Sequence, residues 1–194
     1  MLIIKHRINT ISELKKIPKK FGVEVDLRSN KKDIYLHHNP FSKGVLFNKW
    51  VKYYDHKLIV LNVKEEGLEK KIVTILKKNK IKDYFFHDQT FSSLLKNKKI
   101  TKVSIRISEY EELKKKKYLF KYIKWVWVDH FNIFELNEQL YRLLKKQKVK
   151  ICIVSPELVN LKNIKKIIVL KKILKVKKYI IDAVCTKRPD IWLN

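Results

Sequence analysis

The sequence predicts an α/β fold, a small (β/α)8 TIM-type barrel with short helices. Short apolar runs rich in β-branched residues alternate with longer stretches of helical period along the whole chain. Strands that alternate with helices favour parallel βαβ units. The chain has 194 residues, which suits one domain over residues 1–194. Because an eight-stranded barrel usually takes about 250 residues, its helices must be short here.

Each predicted element follows from a local pattern. Strands are predicted where apolar, β-branched residues cluster, over residues 2–5, 22–27, 58–63, 83–86, 102–107, 125–128, 150–154 and 180–185, with a short extended piece at 33–36. Helices are predicted where apolar residues recur at helical spacing, over residues 11–20, 44–54, 67–80, 91–96, 109–120, 136–146 and 161–177. An open doubly wound sheet is the structural rival. No Gly-rich loop follows the first strand, so the phosphate-binding fingerprint of nucleotide-binding open sheets is missing.

The formal net charge of +27 has two interpretations. One is a partner made of nucleic acid or anionic membrane. The other is the codon usage of an AT-rich genome, because lysine, isoleucine and asparagine abound, Gly occurs 3 times and Ala183 is the sole alanine. Nucleic-acid binding favours arginine for bidentate contacts, and this chain has only Arg7, Arg28, Arg106, Arg142 and Arg188. We therefore expect no nucleic-acid partner, and we keep a preference for anionic substrates or surfaces as an expectation.

Cysteines and apolar runs indicate the compartment. Cys152 and Cys185 lie in apolar runs, which predicts buried thiols rather than a disulfide or zinc site. Met1 leads directly into a strand-like run without a signal-peptide pattern, and no run approaches the roughly 18 apolar residues of a membrane span. We expect a cytoplasmic protein without an integral membrane segment. No strand or helix shows an exposed apolar seam, so the oligomeric state stays open.

Carboxylates stand inside one predicted strand. Glu24 and Asp26 are two residues apart, so both side chains point to the same side of the sheet. Burying such a pair is costly unless a cation or another partner neutralises it. Further polar residues follow the next strands, where a βα barrel builds its active site: Asn62 and Lys64 end the third strand and Asp88 ends the fourth.

Histidines and arginines stand at other strand ends. His6 and Arg7 end the first strand, His38 ends the extended piece after the second, and Arg106 ends the fifth. Carboxylates can hold a hard divalent cation, which can neutralise a phosphate oxygen. Histidine exchanges protons near neutral pH, so two of the histidines at the strand ends could act as general base and general acid. Arg7 can clamp a phosphate, and Arg106 can contact a phosphate or pair with an acid. The set predicts phosphodiester cleavage.

The order of these motifs resembles the glycerophosphodiester phosphodiesterase family, within the wider phospholipase C-like barrels. Members open on His-Arg at the end of the first strand, continue with Glu-x-Asp on the second and a run ending His-Asp-Pro, and close on Thr-Asp-x-Pro. The matching segments, in chain order, are His6-Arg7, Glu24-Val25-Asp26, His38-Asn39-Pro40 and Thr186-Lys187-Arg188-Pro189. The resemblance spans nearly the whole chain.

The resemblance implies a phosphoric diester hydrolase that cleaves a small glycerol-type phosphodiester with the help of a divalent metal, magnesium or calcium. It implies that His6 and His38 are catalytic, that Glu24 and Asp26 bind the metal, and that Arg7 binds phosphate. Where the family has Glu-x-Lys on the third strand, this chain has Asn62-Val63-Lys64, so the resemblance implies Asn62 as a metal ligand and Lys64 as a residue that binds phosphate or holds a carboxylate. Asp88 is the candidate for a further metal ligand from the fourth strand, and Arg106 is a candidate phosphate-binding residue or ion-pair partner.

Several positions depart from the family pattern. Asn62 stands where a glutamate ligand is usual, and an amide oxygen carries no charge for the cation. Asn39 and Lys187 replace aspartates, and Ile8 replaces a glycine. Two alternatives therefore stay open beside the enzyme: a barrel that binds a phosphorylated ligand with weakened catalysis, and a basic protein that binds nucleic acid or a membrane surface.

A narrower resemblance concerns the substrate. Residues 61–68, 106–111 and 154–158 resemble short phosphodiesterase-like proteins associated with bacterial surface polysaccharide. Among these an asparagine on the third strand is ordinary. The resemblance implies a role in polysaccharide biosynthesis rather than lipid metabolism, with a phosphorylated sugar, nucleotide-linked or glycerol-phosphate substrate.

Overall fold

The computed structural model describes residues 1–30, 32–99, 102–111, 118–160 and 163–194. The chain forms two compact units, one made of residues 5–103 and the other of residues 1–4 with 104–194. Strands and helices alternate, and most strand pairs are parallel, so the predicted α/β class is confirmed. One domain over residues 1–194 and a closed eight-stranded barrel stay predictions.

The described part of the chain contains ten strands and eight α-helices. The strands are β1 (Leu2–Lys5), β2 (Gly22–Asn30), β3 (Asp33–Leu36), β4 (Val45–Leu46), β5 (Leu58–Val63), β6 (Tyr84–His87), β7 (Ser104–Ile107), β8 (Trp125–Val128), β9 (Lys150–Val154) and β10 (Ala183–Thr186). The helices are α1 (Ile11–Lys16), α2 (Phe47–Trp50), α3 (Glu69–Lys78), α4 (Phe91–Asn97), α5 (Glu138–Lys146), α6 (Pro156–Val159), α7 (Ile164–Val176) and α8 (Pro189–Leu193). A 3-10 turn, Val51–Tyr53, follows α2.

In the unit of residues 5–103, β2 is the central strand. It runs parallel to β5, and β5 runs parallel to β6. The carboxyl-terminal half of β2 turns back into β3, and β3 pairs with β4, both antiparallel. The register places Asp26 beside Asn62, and Asn62 beside His87. Because parallel strands end at the same edge of a sheet, the residues that end β2, β5 and β6 are neighbours.

In the other unit, β1 lies beside β10, followed by β9, β8 and β7. The pairs from β7 to β10 are all parallel. Cys152 on β9 and Cys185 on β10 are buried free thiols, as predicted. Burial raises the pKa of Cys152 well above its ordinary value, so this thiol is a packing residue rather than a nucleophile.

The core of the unit of residues 5–103 forms on one face of β2. Val23, Val25 and Leu27 are fully buried and belong to the same apolar cluster as Phe47 and Trp50. Strand periodicity sends the intervening residues to the opposite face. The packing of this core therefore fixes the direction in which the side chains of the second face point.

Some predicted boundaries are wrong for identifiable reasons. The helix predicted over residues 11–20 begins as expected, with a Thr10–Glu13 capping box, but ends at Lys16 because Pro18 follows. The helix predicted over residues 44–54 gives way at its start to β4. Two short helices, α6 and α8, were not predicted; each begins with a proline in its first turn, a preferred starting position that the apolar period does not reveal.

The helix predicted over residues 109–120 lies partly outside the described residues, because 112–117 are among those not described. Its described start is a turn that a bridge between Ser108 and Glu111 closes.

The sequence also predicts no exposed apolar seam, and α7 shows that this is wrong. Ile168, Val169 and Val176 of α7 are more than half exposed. Among the described residues, no helix combines the length and the hydropathy that crossing a membrane requires.

The approach of Gly44 to β3 can be tested by adding one methyl group. A Cβ on Gly44 would collide with the backbone carbonyl of Leu36, and backbone cannot move aside as a flexible side chain can. We expect Gly44→Ala to lower the free energy of unfolding by about 1–3 kcal/mol, measured by urea denaturation. The exposed neighbour Lys43 provides the control, and equal unfolding midpoints for Gly44→Ala and Lys43→Ala would contradict the close approach.

Candidate active site

Two buried carboxylates form the centre of the candidate site. Glu24 and Asp26 project from the face of β2 opposite its apolar side chains and are 1% and 0% exposed. Asn62 lies beside Asp26 on β5. This confirms that the two acids share a face. Buried carboxylates must be matched by donors or cations, and the surrounding residues supply both.

Glu24 is held by two donors. Asn62 Nδ2 donates to Oε1 at 2.9 Å, and the Arg7 backbone N–H donates to Oε2 at 2.7 Å. His6 Nε2 lies 3.9 Å from Oε2. Burial raises the pKa of Glu24 from 4.5 to about 7, and the charge of Asp26 adds to the rise, while the two hydrogen bonds and the charge of Lys64 oppose it. Glu24 therefore exchanges its proton near neutral pH.

Asp26 is held mainly by Asn9. Asn9 Nδ2 donates to Asp26 Oδ2 at 2.8 Å, and Asn9 Oδ1 accepts the Asp26 backbone N–H at 2.9 Å. Lys64 Nζ lies 3.5 Å from Oδ1, and Arg7 Nε lies 3.9 Å from Oδ2. Sequence reasoning missed Asn9, although a polar residue just after the His-Arg pair was a signal for it.

Lys64 connects the buried pair with Asp88. Its ammonium lies 3.2 Å from Asp88 Oδ2 as well as 3.5 Å from Asp26 Oδ1, and only 15% of its side chain is exposed. His87, the last residue of β6, is buried, and Asp88, the residue after it, is exposed.

Arg7 and Asp88 both have positive φ angles, 55° and 62°. Such backbone is strained for residues with side chains and concentrates at functional sites.

His38 lies in the loop after β3, which β2 holds in place. The His37 backbone N–H donates to the Asp26 carbonyl at 3.2 Å. Arg28 donates to the His38 carbonyl through Nε at 3.1 Å and Nη2 at 2.9 Å. His38 Nδ1 lies 2.8 Å from the side-chain oxygen of Asn39, the residue that stands in the family's aspartate position. The imidazole is therefore oriented by a neutral partner rather than a charged one.

Arg28 and Glu65 support this loop and were not predicted. Glu65 lies 3.5 Å from Arg28 Nη1 and accepts hydrogen bonds from the backbone N–H and hydroxyl of Ser29. The signal for Arg28 was in the sequence: residues 24, 26 and 28 share one side of a strand, so an arginine two positions beyond the acids belongs to the same face.

Arg106 belongs to the other unit. Its Nε lies 2.9 Å from Glu111 Oε2 and 4.0 Å from Asp129 Oδ2. The ion-pair role that the sequence left open is thus present. A phosphate-binding role for Arg106 stays a prediction.

The donor set fits a hard cation in part. Among the described residues, no group of three or more His, Cys, Asp or Glu could hold a metal ion. Asp26 Oδ1 and Asn62 Oδ1 are nevertheless buried oxygens that make no hydrogen bond within the described part of the chain. Two carboxylates and one amide oxygen are ligands that magnesium and calcium accept. They supply one negative charge fewer than three carboxylates.

Comparisons by sequence find nothing: no protein-family model matches the chain, and no curated protein matches it. Solved structures do match over the full length. The chain has the fold of the glycerophosphodiester phosphodiesterases.

Three solved structures carry this likeness. The glycerophosphodiester phosphodiesterase of Agrobacterium tumefaciens has a TM-score of 0.70 at 10% identity, over 100% of this chain and 99% of that one. The glycerophosphodiester phosphodiesterase of Thermotoga maritima has a TM-score of 0.68 at 20% identity, over 99% and 96%. An Oleispira antarctica phosphodiesterase in complex with the product sn-glycerol-3-phosphate has a TM-score of 0.68 at 15% identity, over 100% and 96%.

The likeness confirms the predicted family fold, and the contacts show which predicted residues meet. His6, Arg7, Glu24, Asp26, Asn62, Lys64 and Asp88 are joined by contacts within the unit of residues 5–103. His38 joins them through backbone contacts of its loop with β2. At identities this low the fold does not decide the activity, so the roles of these residues are proposals.

The raised pKa of Glu24 predicts how stability depends on pH. Because the folded state holds this proton more tightly than the unfolded state, its stabilising contribution is present below pH 4.5 and is lost as pH rises through about 7. Glu24→Gln keeps the shape and removes the titration. We expect the variant to gain stability relative to the unchanged protein between pH 5 and pH 8, measured by urea denaturation with chelator present. Parallel pH curves would show that Glu24 ionises normally.

Proposed function

We propose that this protein is a phosphoric diester hydrolase of the glycerophosphodiester phosphodiesterase type. The observation that carries the proposal is the meeting of His6, Arg7 and Lys64 with the Glu24–Asp26 pair at the ends of β1, β2 and β5. The full-length likeness to phosphodiesterases supports it. The proposal includes a closed (β/α)8 barrel, the fold usual for such sites at strand carboxyl ends.

His6 and His38 are the proposed acid and base. Hydrolysis of a diester needs one group to take a proton from the attacking water and another to protonate the alcohol oxygen that leaves as its bond to phosphorus breaks. His6 Nε2 lies 3.9 Å from Glu24 Oε2, which holds the imidazole beside the buried pair. His38 hydrogen-bonds Asn39 through Nδ1, so Nε2 is the nitrogen available for proton transfer.

Arg7 and Lys64 are the proposed phosphate-binding residues. The Arg7 side chain is 40% exposed and only loosely paired with Asp26, at 3.9 Å, so its guanidinium can turn to a phosphate. Lys64 is more buried and shared by Asp26 and Asp88. A cation placed beside two acids offsets the repulsion that they would exert on an anionic substrate.

A divalent cation, magnesium or calcium, completes the proposal. Glu24, Asp26 and Asn62 would hold it, with Asp88 as a further ligand if Lys64 turns away. Bound there, the cation would neutralise charge that develops on the phosphate oxygens. The two buried oxygens without hydrogen bonds, Asp26 Oδ1 and Asn62 Oδ1, support the assignment.

The substrate is proposed as a small diester with a glycerol-phosphate, sugar-phosphate or nucleotide-linked half. One compared phosphodiesterase was solved with sn-glycerol-3-phosphate, which supports the glycerol-type half. A binding protein without catalysis is the second candidate. It is favoured by one observation, the Asn62 amide that donates to Glu24 where a third acid is usual in the resembling family.

Hydrolysis can be tested with a panel of diesters. Glycerophosphocholine, glycerophosphoethanolamine, CDP-glycerol, lysophospholipid and a chromogenic diester would each be assayed with magnesium, calcium or chelator. We expect His38→Ala to lower kcat/KM by about 10²–10⁴-fold, the usual contribution of a general acid or base. His37→Ala, one residue away, should retain most activity, because its ring bonds locally to Asn39.

The panel separates the two candidates. Equal losses in His37→Ala and His38→Ala would remove His38 from the mechanism. If a diester binds but is not hydrolysed with magnesium, with calcium or with chelator, the result would favour the binding protein.

The cation site can be tested through its one neutral ligand. Asn62→Asp adds a carboxylate on β5 where the register places it beside Asp26. We expect the variant to bind calcium or magnesium about tenfold more tightly, by calorimetry, and to unfold more readily in chelator because a third acid beside the buried Glu24 and Asp26 repels them. Tighter binding without any loss of stability in chelator would mean that the added charge lies away from Glu24 and Asp26.

A further inference from the structure

Helix α7 exposes aliphatic side chains on its outer face. Ile167, Leu170 and Leu174 are buried on its inner face. On the opposite face Ile168, Val169 and Val176 are 54%, 55% and 81% exposed. Apolar side chains grouped on a solvent-facing surface mark a site of interaction.

The same outer face is strongly basic. Lys165, Lys172 and Lys175 are exposed, and helical spacing places them among the exposed aliphatic residues. Of the 24 residues from 158 to 181, eight are lysine and none is aspartate or glutamate. We call the six residues Lys165, Ile168, Val169, Lys172, Lys175 and Val176 the α7 face.

A cavity beside the end of α7 combines the same two properties. Its volume is about 540 Å³. Three lysines and several apolar residues line it, among them Lys171, Lys175, Lys178, Leu174, Ile180 and Trp192. Ile180 is 72% exposed, so the apolar surface continues beyond the last turn of the helix.

We propose that the α7 face docks on an anionic lipid bilayer. Lysine stems can extend along the bilayer surface with their ammonium groups at the lipid phosphates, while Ile168, Val169 and Val176 enter the boundary between headgroups and acyl chains. Each lysine near an anionic bilayer strengthens binding by roughly fivefold. The inference concerns peripheral binding and does not depend on the proposed hydrolase.

The combination of charge and apolar surface selects this partner. Nucleic acid would be attracted by the lysines but would gain little from exposed aliphatic side chains. A second copy of the chain would present the same lysines, and like charges oppose that contact. An anionic bilayer complements both features of the α7 face.

Vesicle co-sedimentation tests the proposal. The purified protein should bind vesicles of phosphatidylcholine mixed with phosphatidylglycerol and bind phosphatidylcholine alone far less. The combined variant Lys165→Gln, Lys172→Gln, Lys175→Gln should weaken binding by roughly a hundredfold. The combined variant Ile168→Ser, Val169→Ser, Val176→Ser should weaken it about tenfold or more. All replaced side chains are exposed, and circular dichroism would confirm that both variants are folded.

Matched variants separate a local face from general positive charge. Lys70→Gln, Lys77→Gln, Lys78→Gln removes the same three charges from exposed positions on α3 and should leave binding within about tenfold. Phe131→Ser, Ile133→Ser removes exposed apolar groups elsewhere and should leave it unchanged. Equal losses in the two lysine variants would overturn the proposal. So would a concentration-dependent dimer that the serine variant of α7 abolishes while vesicle binding persists.

Discussion

The burial of two carboxylates side by side on β2 is the constraint on which the candidate site depends. Glu24 and Asp26 are almost fully enclosed, and an uncompensated buried charge costs roughly 3–5 kcal/mol. Compensation comes from two directions. The segment after β1 supplies the Arg7 N–H and the Asn9 amide, while β5 supplies Asn62 and the residue that follows β5 supplies the Lys64 ammonium. These polar residues therefore lie where they can donate hydrogen bonds or positive charge to Glu24 and Asp26.

The same constraint accompanies two of the described residues with positive φ, Arg7 and Asp88. Arg7 adopts a positive φ, and its N–H reaches Glu24; Asp88 adopts a positive φ, and its carboxylate reaches Lys64. Positive φ is unfavourable for residues with a Cβ, so the surrounding hydrogen bonds and ion pairs must stabilise it. The site is held in an arrangement that local preference alone would not choose, which is common where residues are kept for function rather than stability.

Strand positions and the faces of the strands could be predicted from the sequence, because both depend on the local periodicity of apolar residues. The bounds of β1, β3, β5, β8 and β9 match, because each is a short run made mostly of apolar residues. The alternation of β2 also predicted that Glu24 and Asp26 share a face. Two of the misses involve non-local contacts: Asn9 acquires its role from Asp26, 17 residues away, and residues 45–46 become a strand by pairing with β3. The exposed apolar side chains of α7 were not predicted, because a helix with apolar residues on several sides has the pattern of a fully buried helix.

Two hydrogen bonds join Asn9 and Asp26, and they couple the folding of two segments of the chain. Asn9 satisfies both the carboxylate and the backbone N–H of Asp26. Until residues 6–9 dock, β2 would bury an acid without its main donor, an arrangement penalised by desolvation. Pairing of β2 and β5 around Asp26 is therefore coupled to docking of the segment after β1. Unlike the apolar contacts of the core, which need no particular pairing of donor with acceptor, this polar centre is satisfied only when both segments are in place.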